Sequence, residues 1–176
     1  MELLKILKSG KNLAIHSDMH LFQTELPKLL HHFVPNPEEG SPRMLVICPN
    51  DDIARSTEEL LQEKVKELDL TMDLITDKGN SLKQRNDLFF GTEVIVGSIK
   101  KTNAMYLQNG FNVALLKCCV VLEIDEIIKK GMRGHLVRIA ESLPKKCAYA
   151  IQYTNEDSRI EEFIEVFAPN HSTRTL

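Results

Sequence analysis

Short apolar runs alternate with helix-patterned segments along the whole chain, and that alternation leaves few architectures open. Six runs read as strands: Asn12–His16, Arg43–Cys48, Thr71–Thr76, Glu93–Gly97, Cys118–Ile124 and Cys147–Tyr153. Between them, apolar residues recur at helical spacing. Leu26, Leu29, Leu30 and Phe33 predict a helix over about Gln23–Phe33, while Ile53, Leu60, Leu61, Val65 and Leu68 predict one capped by Asn50 or Asp51. Further helices are expected over Ser81–Phe90, Thr102–Asn109 and Gly134–Leu143, with Asp157–Phe167 closing the chain. The strands are too apolar to be wetted on one face. A mostly parallel sheet covered by helices on both sides follows, an α/β three-layer, doubly wound architecture. Its ligand crevice belongs at the carboxyl ends of the strands.

The 176 residues suit one domain spanning 1–176, and 43% hydrophobic with 27% charged residues is ordinary for a globular chain. A net charge of −3 argues against a dedicated polyanion binder, so nucleic-acid contact would need a local basic patch. Cys48, Cys118, Cys119 and Cys147 form no Cys-x-x-Cys pair and sit in apolar runs, which predicts buried free thiols. Met1–Ser9 carries no secretory signal, and no run approaches the roughly 20 apolar residues of a membrane-crossing helix. A reducing, cytoplasmic location and no membrane partner are expected. The histidines show no convergent metal-ligand spacing, so no metal site is expected.

Chemistry is to be sought at the strand ends. Val120-Val121-Leu122-Glu123-Ile124-Asp125-Glu126 is an apolar strand ending in an Asp-Glu pair. Nucleotide hydrolases use such a pair to hold magnesium and to polarise the attacking water. On this reading Glu123, two residues before Asp125, shares its face of the strand.

In order and spacing the chain resembles the amino-terminal RecA-like domain of the DEAD-box RNA helicases over nearly its whole length. The segments that carry the resemblance are Ile6–Asn12, Leu26-Pro27-Lys28-Leu29-Leu30, Leu45–Ala54, Glu93–Lys101, Asp125-Glu126-Ile127-Ile128 and Tyr153-Thr154-Asn155. They stand where the family has its lead-in, its Leu-Pro-x-Leu helix, Pro-Thr-Arg-Glu-Leu-Ala, Thr-Pro-Gly-Arg, Asp-Glu-Ala-Asp and Ser-Ala-Thr. The resemblance implies a P-loop-NTPase-like sheet and single-stranded RNA as ligand. It also implies a protein partner or a second RecA-like domain.

The departures point away from catalysis. The family's Gly-rich loop, ending in Gly-Lys-Thr, wraps phosphates in backbone N–H groups and neutralises them with its lysine. Here His16-Ser17-Asp18-Met19-His20-Leu21-Phe22-Gln23-Thr24 contains neither glycine nor lysine, and Lys11 and Lys28 lie outside it. Met19, His20 and Phe22 are expected to fill the vacated crevice. Asp125 and Glu126 are then vestigial, and neither ATP nor magnesium is expected as a cofactor. Ile128 replaces the second Asp of the signature, and Tyr153-Thr154-Asn155 lacks the usual Ser and Thr.

For RNA the resemblance implies contacts at Asn50, Lys78, Gly79, Ser98, Lys100 and Lys101, whereas Asp51 sets a negative charge where the family has arginine. The expected function is a noncatalytic helicase-like domain that binds RNA or protein. A divergent RNA-dependent ATPase completed by a second domain, and a partner-only module without RNA contact, are the alternatives.

Overall fold

A computed structural model describes residues 2–38 and 40–176. Met1 lies outside the described residues, as does Glu39 in the run 35–42, which its three prolines and one glycine mark as a loop. The elements run α1 (Glu2–Lys8), β1 (Asn12–His16), α2 (Met19–Gln23), α3 (Leu26–Phe33), β2 (Met44–Cys48), α4 (Asp51–Glu67), β3 (Met72–Ile75) and α5 (Ser81–Phe90). Then follow β4 (Val94–Ser98), α6 (Ile99–Leu107), β5 (Cys118–Val121), α7 (Ile124–Lys129), α8 (Arg133–Ala140), β6 (Ala148–Tyr153), α9 (Ser158–Phe167) and β7 (His171–Thr175).

The strands form one sheet in the order β3-β4-β2-β5-β6-β1-β7, and every described pairing is parallel. Alternate residues of each strand feed two cores. Leu45, Ile47, Cys119 and Val121 belong to one face, while Met44, Val46, Cys118 and Val120 belong to the other. This is the doubly wound α/β sheet that the alternation implies. All four cysteines are free and buried, and burial pushes the Cys48 and Cys147 thiols up to about 12, which leaves them unreactive. Among the described residues no helix is long and apolar enough to cross a membrane.

The longest helix shows how sequence fixes an element. The Asn50 side chain accepts the Ile53 N–H at 3.0 Å, Asp51 and Asp52 occupy the positive first turn, and Lys64 and Lys66 the negative last one. Ala54, Thr57, Leu61 and Val65 then bury one stripe against the sheet.

Several boundaries differ from expectation, each for a local reason. The helix expected over Gln23–Phe33 is two helices, broken at Thr24 and Glu25. Pro27 has no N–H to continue the ladder back to Gln23, and Thr24 Oγ1 instead donates to the Leu21 carbonyl at 2.7 Å. The helix after β4 starts at Ile99 rather than Thr102, because buried Ile99 shares its core face with Thr102 and Met105. β5 ends at Val121, not Ile124, since Glu123 takes the left-handed conformation at φ 46° and turns the chain into α7. Asp125 therefore stands in the first turn of a helix and does not share a strand face with Glu123. α9 does not close the chain either: β7, polar and exposed, pairs with β1 at the sheet edge.

Candidate functional site

At the carboxyl end of β1 the chain makes a tight exit. The Ser17 N–H donates to the Tyr153 carbonyl at 3.1 Å, and Asp18 caps α2 by accepting the Leu21 N–H at 3.1 Å. The Phe22 N–H returns to the Asp18 carbonyl at 3.2 Å. The amides of Ser17, Leu21 and Phe22 are thus consumed at this exit. Ser17 and Met19 are buried, and Phe22 is wholly enclosed among Leu13, Ile15 and Leu26. The expectation that His20 also fills the crevice is corrected: it is exposed, with Nδ1 3.2 Å from Gln23 Oε1. Its position on the outer side of a single helical turn leaves it no path inward. His16 stacks on Tyr153, with ring centroids 5.3 Å apart, and its Nε2 lies 3.0 Å from the Thr154 carbonyl oxygen.

Asp125, buried at 5% exposure, holds the neighbouring turn together. Its Oδ1 accepts the Thr154 N–H at 3.2 Å, and its Oδ2 accepts both the Asn155 N–H and Asn155 Nδ2, each at 3.0 Å. Glu126 is partly buried and pairs with Lys129 at 3.5 Å. The residue that joins this turn to β1 is Gln152, which no motif in the sequence singled out. Fully buried, it accepts the Glu123 N–H at 2.8 Å and donates to the Ser17 carbonyl at 2.8 Å and to Thr154 Oγ1 at 3.3 Å. The available signal was chemical: an amide side chain inside the apolar run Ala148–Tyr153 must find partners.

Glu123 lies beside Asp125 and Glu126. Burial first, then these two carboxylates, push its carboxyl above the ordinary glutamate value, with His20 and Lys130 opposing. The folded state therefore holds this proton more tightly than the unfolded chain. Stability from this group is present below the ordinary value and is lost as pH rises through the raised one. Glu123→Gln is expected to flatten that decline and to raise the melting temperature at neutral pH. Thermal melts of both proteins across the acidic-to-neutral range check this.

On the opposite rim, at the ends of β2 and β4, the residues singled out for RNA contact are placed unevenly. The Asn50 side chain is committed to capping α4. Ser98 is only 1% exposed, so its hydroxyl does not reach the surface expected of it; it closes β4 at the point where Ile99 dives into the core. Gly79 leaves room for a neighbouring side chain, since a Cβ there would lie 1.7 Å from Gln84 Nε2 and would displace that amide. The Gln84 amide bonds the Thr76 backbone through both of its ends, at 3.3 and 3.1 Å. Lys78 and Lys100 are exposed, and Lys101 donates to Ser81 Oγ. Asp51 accepts the Asp77 N–H at 2.8 Å and the Lys78 N–H at 3.0 Å through its two oxygens. Burial opposes its ionisation, but these amides outweigh it and hold the carboxyl below the usual aspartate range.

The β1 exit supplies no lysine, its amides at Ser17, Leu21 and Phe22 are already bonded, and Asp18 adds a negative charge. Lys28, on α3, pairs with Glu25 at 2.7 Å.

The chain matches the family model for DEAD/DEAH box helicases over residues 9–154. It is 27% identical over 144 residues to the ATP-dependent RNA helicase DBP5 of Saccharomyces cerevisiae, covering 80% of this chain and 29% of that protein. With the DEAD-box ATP-dependent RNA helicase 27 of Oryza sativa it shares 24% identity over 160 residues, 90% of this chain and 26% of that one. The chain thus spans under a third of the length of these relatives. Among solved structures, S. cerevisiae Dbp5 bound to RNA and ADP BeF3 superposes with a TM-score of 0.79 at 21% identity, covering 94% of this chain and 42% of that one. A structure of Dbp5 bound to Nup159, Gle1, IP6 and ADP gives 0.81 at 24% identity, with coverages of 94% and 44%. The parallel sheet, the order of the strand-end segments and a family match across most of its length place this chain in the DEAD/DEAH box helicase family.

Proposed function

We propose that the chain works as an ATP-independent binding module built on a helicase-type domain. One observation carries the reading: the Asp125 carboxylate, the position for a magnesium-bound acid, is spent on three N–H donors from Thr154 and Asn155. A buried carboxylate so engaged gains little by turning to a metal, because doing so breaks three charge-assisted hydrogen bonds at about 1.5–3 kcal/mol each. The closed turn at Ser17 and Asp18 argues in the same direction. The RNA bound to Dbp5 would meet, on this chain, a rim reduced to Lys78, Lys100 and Lys101. Phosphate contact there is weak and strongly dependent on salt. The larger role falls to a protein partner.

Calorimetry tests this reading. Titration with magnesium-ATP is expected to give no binding heat, and single-stranded oligouridylate only a weak signal that salt abolishes and the Lys100→Ala, Lys101→Ala pair removes. Micromolar, magnesium-dependent ATP binding would refute the proposal, as would RNA-stimulated phosphate release lost in Asp125→Ala.

A further inference from the structure

A second concave site adjoins the strand-end crevice, between α9 and the edge strand β7. It is a cleft of about 310 Å3 whose floor is Ala14 and the α9 residues Ile160 and Ile164. Its walls carry Glu156, Glu161 and Glu165 on one side and His171 and Thr173 on the other. None of the three glutamates forms a salt bridge among the described residues, whereas neighbouring Asp157 and Glu162 are paired with Arg159 and Arg133.

A second observation comes from Tyr153, which closes one end of the cleft. It is 9% exposed, and its hydroxyl has no hydrogen-bond partner among the described residues. Burial first, then the Glu156 and Glu161 carboxylates, push its phenol above the ordinary tyrosine value. An unpartnered hydroxyl on a largely covered ring and three uncompensated carboxylates around one apolar floor call for a cationic donor with an aliphatic stem. Phosphate is repelled, which excludes nucleic acid.

The backbone beside the cleft says how such a donor would arrive. Among the described residues β7 ends the sheet and pairs only with β1. The Asn12 N–H to Asn170 carbonyl bond at 3.0 Å and the Leu176 N–H to His16 carbonyl bond at 3.1 Å fix the ladder. In a parallel ladder, Ser172 and Arg174 then turn their backbone groups toward β1, while His171, Thr173 and Thr175 turn theirs outward. The row of outward groups runs along the rim of the acidic cleft. An open edge of this kind is a template for an added strand.

We infer that the α9–β7 cleft docks an extended, arginine-bearing segment of a protein partner, which pairs with the outer edge of β7 and seats a guanidinium among Glu156, Glu161 and Glu165. A short labelled peptide in which arginine alternates with threonine is the probe, read by fluorescence anisotropy and by backbone amide chemical shifts. Binding is expected to perturb residues 153–175. Glu156→Gln, Glu161→Gln and Glu165→Gln together should weaken it about tenfold, as three partly exposed ion pairs contribute roughly 1–2 kcal/mol. Thr173→Pro, which deletes an outward N–H and leaves the β1 ladder intact, should weaken it about fivefold, while Thr173→Val should not. These positions are at the surface, and unchanged melting temperatures verify the fold. The inference is overturned if the peptide does not bind at millimolar concentration, or if a version with glutamate for arginine binds equally. It also fails if the glutamine variant keeps full affinity, or if spermidine binds as tightly as the peptide and Thr173→Pro has no effect.

Discussion

Asp125→Ala is expected to lower the melting temperature by about 6–12 °C, corresponding to roughly 3 kcal/mol in a domain of this size. The change removes one carboxylate and leaves three donors, the Thr154 N–H, the Asn155 N–H and Asn155 Nδ2, without their acceptor at the end of β6. Part of the loss is offset, because Asp125 also repels Glu123. Asp125→Asn retains an acceptor oxygen and is expected to fall between the two proteins. Scanning calorimetry distinguishes this structural role from a metal-binding one. An acid held open for a cation, among Glu123 and Glu126, would be a source of repulsion, and its removal would leave the melting temperature unchanged or raise it. That outcome would count directly against the proposed function.

The second large effect is expected at Phe22. Truncation to alanine empties a ring with no exposed surface, packed among Leu13, Ile15, Leu26 and their neighbours, at about 3–5 kcal/mol. The melting temperature should drop by roughly 6–20 °C, while Phe22→Leu, which keeps most of the apolar volume, should fall much less. Phe22 pins the single turn of α2, and that turn sets the path of Ser17 and Asp18. Phe22→Ala should therefore broaden the amide signals of residues 17–24 before any other part of the sheet. It is not expected to create affinity for ATP, since a void lined by leucine and isoleucine offers a phosphate nothing.

How much of this was legible in the sequence depended on the signal each part carries. The five inner strands read plainly because a strand buried on both faces is apolar along its length, as Met44–Cys48 is, and the half-buried edge strand β3 was legible from its apolar Met72, Leu74 and Ile75. β7 was not, because His171–Thr175 is polar, exposed and held by backbone pairing alone. The departure from a Gly-rich loop was legible as missing glycine and lysine between His16 and Thr24. What replaced it was not. The Asp125 bonds to Thr154 and Asn155 cross 29 and 30 residues of chain, and the Gln152 bond to Ser17 crosses 135. Register and backbone direction decide such contacts, and one-dimensional spacing does not contain them. Ser98 is an instructive miss. A hydroxyl at a strand-to-helix junction reads as surface chemistry, yet the early start of α6 at Ile99 draws it inside.

Asp51 has a consequence for anions in general. Its two oxygens sit on the Asp77 and Lys78 amides as a tethered competitor, so the chain brings its own counter-ion to that turn. Diluting the protein does not loosen it, because the effective concentration of a group on the same chain is set by geometry alone. A phosphate arriving from solution faces rivalry that no excess of protein relieves, and only a change of residue at position 51 would vacate the seat.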